Sequence, residues 1–163
     1  MSAGSSSFNY KISYYLVSEV PWRSKGEEKH GFLVIQDKNN QKTYSIQHVS
    51  HTCEFRDFDI QKTTYTEKKL LLCATKDFQL GKSVKSAFED ISKHVYNESL
   101  TGYPNCCYGL CDMVLLRLGL TVDQLKALCN TMQTIDKNEW IPPFTEEIQK
   151  PFTKYFNKFP TLL

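Results

Sequence analysis

Apolar and polar residues roughly alternate through residues 8–17, Phe-Asn-Tyr-Lys-Ile-Ser-Tyr-Tyr-Leu-Val, and β-formers dominate, which predicts a strand. Residues 18–29 turn polar around Pro21 and Trp22 and read as a loop. Trp22 offers either a cleft wall or a simple packing residue. From His30 the sequence runs His-Gly-Phe-Leu-Val-Ile-Gln-Asp, a nearly continuous apolar stretch of the kind a central strand shows. Asp37-Lys38-Asn39-Asn40 is a turn signal, and residues 43–49 return as the second arm of an antiparallel hairpin. That hairpin carries His30 back toward His48 and predicts both imidazoles at one edge of the sheet. A slip of one residue would exchange His48 for Gln47, because successive side chains point to opposite faces. Residues 52–58 and 65–75 predict two further strands, the clearest part being 69–75.

The period then changes. Val84, Phe88, Ile91 and Val95 form one apolar helical stripe behind Ser83, a plausible N-cap. Pro104 and Asn105 signal a second start, Leu110, Val114, Leu115 and Leu118 recur at helical spacing, and Gly119 is a stop. Thr121 and Gln124 fit a capping box for a short helix to about residue 134. After Trp140 and Pro142-Pro143 comes an aromatic segment with Phe144, Phe152, Tyr155, Phe156 and Phe159, expected to pack back as a helix. The expectation is an α+β fold, an antiparallel β-sheet packed against helices. Residues 1–7 are expected to form a flexible tail and residues 8–163 a single domain.

Composition narrows the function classes. At 163 residues, with 40% hydrophobic and 23% charged, the chain can bury an ordinary core. A net charge of +2, with both signs interspersed, argues against a nucleic-acid or anionic-membrane surface. No apolar run approaches the roughly 18 residues of a membrane span. The first residues lack the pattern of a secretory signal, so the expected location is cytoplasmic and the six cysteines read as reduced thiols. The sequon Asn97-Glu98-Ser99 has meaning only in a secreted chain.

Cys106 and Cys107 fall in the predicted first turn of the helix that Pro104 and Asn105 open and Gly119 stops. Amides there lack helical partners and the dipole's positive end favours a thiolate, so a cysteine so placed is a better nucleophile. Buried cysteines also simply pack, as Cys111 is expected to do. A cysteine nucleophile needs a base within reach and a group to orient the base. His30, at the start of a central strand, and a polar residue on the neighbouring strand complete a cysteine–histidine hydrolase layout.

These residues carry a resemblance. Cys107-Tyr108-Gly109-Leu110, followed by an apolar helix ending in Gly119-Leu120, resembles the Asp-Cys-Ser-Gly-Leu/Phe motif of the NlpC/P60 superfamily of papain-like cysteine hydrolases. His30-Gly-Phe-Leu-Val-Ile, the Asn-Asn turn and Tyr44 to His48 resemble that family's histidine motif. Here the histidine precedes the cysteine, as in the circularly permuted branch with its lecithin:retinol-acyltransferase-like, PPPDE-like and YiiX-like members. Glycine spacing selects Cys107 as nucleophile, whereas the Asn-Cys dipeptide of several permuted members selects Cys106. The resemblance covers roughly residues 30–49 and 81–120. Cys106 stands where the family has Asp, and Gly31 directly follows the histidine. The resemblance implies a permuted papain-like fold and thiolate attack on an amide, isopeptide, ester or thioester, with no cofactor. Its substrates would be a peptide, an isopeptide or an acyl lipid, and the enzyme a hydrolase, thiol protease or acyltransferase. It further implies His30 as base and then acid, His48 or alternatively Gln47 as its orienting residue, and helix amides as the oxyanion site.

Two rival functions remain open in the sequence. His48, His51 and Cys53 are possible zinc ligands, with Cys73, Cys106 or Cys107 as a fourth. No paired Cys-x-x-Cys unit supports them, and residues 48 and 51 point to opposite faces of a regular strand. The other rival is a non-catalytic protein-interaction module on the same fold, with the aromatic tail as partner surface.

Overall fold

A computed structural model of the chain describes residues 7–17, 30–49, 52–59, 61, 70–94 and 107–135. Expectations for Trp22, His51, Val95, Asn105, Cys106, the 1–6 segment and the aromatic tail fall outside these residues. Among the described residues, β1 (Phe8–Val17), β2 (His30–Asp37), β3 (Thr43–Val49), β4 (Thr52–Asp57) and β5 (Leu70–Leu80) make one antiparallel sheet. The strand order β4-β3-β2-β1-β5 places β2 at the centre, where its apolar run is buried on both faces. Helices α1 (Val84–His94), α2 (Cys107–Leu118) and α3 (Val122–Ile135) follow, so the fold is α+β.

The β2–β3 turn is held by its own side chains. Asp37 Oδ1 accepts from the amides of Asn39 at 2.8 Å and Asn40 at 3.3 Å, and Asn40 Oδ1 accepts from Lys42 N at 2.9 Å. This geometry fixes the register Leu33↔Ile46, Val34↔Ser45, Ile35↔Tyr44. Every residue of the two strands is thereby assigned to a face. Tyr10, Ile12, Tyr14, Leu16, Leu33, Ile35 and Ile46 lie on the face that packs against all three helices. Val17 and Phe32, with Tyr15, Val34, Phe58 and Leu70 beside them, lie on the other.

β5 runs five residues past the expected end at residue 75. It pairs with β1 throughout, but the register shifts between Tyr14 and Tyr15 and leaves Cys73 as an extra residue. A bulge moves the alternation out of phase, and the polar Thr75-Lys76-Asp77 hides the strand further. Beyond it Phe78 and Leu80 resume the core pattern.

The helices follow their sequence signals closely. α1 buries Val84, Ala87, Phe88 and Ile91 against the sheet, and Ser83 Oγ caps Ser86 N at 3.2 Å. The Val84 amide, also without a helical partner, donates to Tyr10 Oη at 3.2 Å. α2 is buried on nearly all sides, as a helix between a sheet and two neighbours must be. Its one basic residue, Arg117, is neutralised by Asp90 of α1, Nε to Oδ2 at 3.1 Å. Gly119 takes a φ of 110°, with Gly119 N bonding Leu116 O and Leu120 N bonding Leu115 O, each at 3.0 Å. That is a Schellman stop, and it turns the chain into α3. Among the described residues no helix is long and apolar enough to cross a membrane.

Candidate active site at the start of the central strand

His30 opens β2 and is fully buried. Its Nε2 lies 2.9 Å from Gln47 Oε1 on β3. Gln47 is itself oriented, because its Nε2 donates to Ser45 Oγ at 3.2 Å. A carboxamide oxygen can only accept, so the shared proton resides on His30 Nε2. The neutral ring then keeps its basic lone pair on Nδ1. A chain of three polar residues, Ser45, Gln47 and His30, thus fixes one tautomer of a buried histidine.

Gln47, not His48, meets His30, and the register gives the reason. Val34 and Ser45 face each other, so Gln47, two residues beyond Ser45, shares the face of His30, Phe32 and Val34. His48 shares the face of Ile46 and stands directly opposite Cys53 of β4. The two imidazoles therefore belong to opposite faces of the sheet rather than to one edge. His48 and Cys53 are two possible metal ligands on one face. Among the described residues no group of three ligating side chains comes together, and His51 lies outside them.

Around His30 the sheet carries an aromatic layer. The imidazole stacks on Phe32, with centroids 5.7 Å apart and planes at 17°. Phe32 continues to Tyr15 at 5.9 Å and to Phe58 at 5.7 Å. This layer lies on the side away from the helices.

Between His30 and the helix face stands Gly31. A Cβ on Gly31 would lie 2.9 Å from Cδ1 and Cε1 of Tyr108 and 3.2 Å from Cε1 of Tyr14. The missing side chain is what lets the second residue of α2 close onto β2. Gly31, directly after the histidine, is here the seat of α2. The same pleat turns His30 to the opposite face.

Cys107 is the first residue of α2 and is 2% exposed; Tyr108 and Cys111 are buried with it. Cys107 and Cys111 are buried, whereas Cys53 and Cys73 are half-buried. Amides in the first turn of α2 have no partner within the helix and form an anion-favouring end. Cys107 and His30 each immediately precede one member of the Tyr108–Gly31 contact. Ser45 went unread in the sequence, although the spacing Ser45-x-Gln47 on a half-buried strand was the available signal.

No family model, no curated protein and no solved structure matches the chain.

Proposed function

We propose that the chain is a cysteine hydrolase or acyltransferase of permuted papain-like architecture, acting on an amide, isopeptide, ester or thioester. The observation that supports this reading is the 2.9 Å bond from His30 Nε2 to Gln47 Oε1. It leaves Nδ1 as the basic nitrogen of a held imidazole on the strand against which the cysteine helix is seated. In the proposed step, His30 Nδ1 takes the proton of the Cys107 thiol, and the sulfur attacks the substrate carbonyl. First-turn amides of α2 hold the oxyanion. The imidazolium returns its proton to the leaving nitrogen, oxygen or sulfur as the C–N, C–O or C–S bond breaks, giving a thioester on the cysteine. Water or an acceptor nucleophile, deprotonated by His30, then releases the acyl group. Because Gly31 rather than His30 faces α2, thiol and imidazole would approach each other around the N-terminal end of β2. Cys106, the preceding residue in the sequence, is the alternative nucleophile.

The pleat also favours a second reading, a non-catalytic interaction module. In that case His30 is a member of the Phe32 aromatic layer and Gln47 its buried hydrogen-bond partner. Iodoacetamide labelling of the native protein from pH 5 to 9, read by peptide mass spectrometry, separates the two. The catalytic reading predicts labelling of Cys107 or Cys106 well below the free-thiol pKa of about 8.5, lost in His30→Ala and in the milder Gln47→Ala. Slow labelling of both cysteines with a midpoint near the free-thiol value favours the module.

A further inference from the structure

A second site opens on the helix face, away from His30. The β-bulge at Cys73 bends β5 where it passes α3, and the next residue, Ala74, has only a methyl group to fill the gap. A cavity of about 210 Å³ remains there, walled by Leu33, Leu115, Leu128 and Phe78. It is open to solvent on the side of Ala74, Thr75, Lys76 and Gln124, which are exposed. Among its lining residues only Lys76 is charged. Lys76 pairs with Ile12 across the sheet, and its Nζ sits 5.4 Å from the centroid of the Phe78 ring. The cation therefore stands beside an apolar wall of the cavity and has no carboxylate neighbour among the lining residues.

We propose that this cavity binds a free medium-chain carboxylate, hexanoate to octanoate in size, with its alkyl chain inside and its carboxylate on Lys76. An apolar pocket with few polar groups at its rim is the usual form of a small-molecule site. Burial of the alkyl chain supplies the affinity, and the single cation selects the anion. This inference does not depend on the catalytic reading.

The test is calorimetric titration of the full chain with octanoate, with n-octanol and octylammonium as probes of the headgroup. Octanoate is expected to bind with n-octanol weaker and octylammonium weakest. Reversing the exposed charge in Lys76→Glu should weaken octanoate about fivefold. Ala74→Phe fills the cavity from an exposed position and should abolish binding while the thermal midpoint is retained. No octanoate binding up to millimolar concentration, or equal binding by the wild type, Lys76→Glu and Ala74→Phe, overturns the proposal.

Discussion

At Gly31 a missing side chain sets the distance between helix and sheet. The nearest atoms to a new Cβ belong to Tyr108 and Tyr14, two buried rings with little room to turn. Gly31→Ala should therefore destabilise the fold by about 1–3 kcal/mol through overpacking, read from urea denaturation midpoints. An unchanged midpoint would show that α2 does not rest on this residue. Cys73 makes a prediction about pH. Burial pushes its thiol up from 9.0 to about 11, against a smaller opposing effect from the Leu16 backbone. Between those values the unfolded chain has lost a proton that the folded chain keeps, so stability falls as pH rises through this window and is complete below it. Tyr10, raised by burial as well, acts in the same direction. Urea midpoints taken from pH 8 to 11 should thus fall further for the wild type than for Cys73→Ala, and parallel curves would contradict this. The residue types at the site were legible in the sequence, down to Gln47 as the alternative partner of His30. Which of Gln47 and His48 meets the imidazole was not, because it depends on a one-residue register that only the turn geometry fixes.

Among the elements, the β2–β3 turn carries visible strain. Gln41 takes a φ of 63°, a left-handed conformation that a residue with a Cβ enters at a cost of roughly 1–2 kcal/mol. Gln41→Gly should relieve part of it and raise the thermal midpoint, even though the bond from Gln41 Nε2 to Lys38 O is lost. A lowered midpoint would mean that this bond outweighs the strain. At the start of α3, Thr121 Oγ1 accepts from Gln124 N at 3.1 Å, and Gln124 Oε1 accepts from Thr121 N at 2.9 Å. Thr121→Ala should cost about 0.5–2 kcal/mol in chemical denaturation, and Thr121→Ser should restore most of it. If Thr121→Ala leaves the midpoint unchanged, the box does not hold the helix start. These ends were readable because their signals are local: a Thr and a Gln three apart, or a Gly after the last apolar residue. β5 was read short because a bulge is a property of two strands together. Nothing within Cys73-Ala74-Thr75 announces it.

Over the whole molecule, alternation and turn signals sufficed to place an antiparallel sheet with β2 at its centre, and the helical stripes supplied the layer that covers one face. The same patterns are silent on the side of the sheet to which His30 belongs. Gly31 decides that, by facing Tyr108 and turning His30 toward Phe32. The proposed cysteine hydrolase chemistry therefore requires a meeting of thiol and imidazole at the end of the strand. The most direct measurement is intact and peptide mass spectrometry of the protein during reaction with p-nitrophenyl acetate. A cysteine acyl-enzyme predicts one acetyl group on Cys107 or Cys106, formed in a burst, decaying with turnover and absent in His30→Ala. Acetyl groups scattered over surface lysines at a rate unchanged in His30→Ala would contradict catalysis at this site.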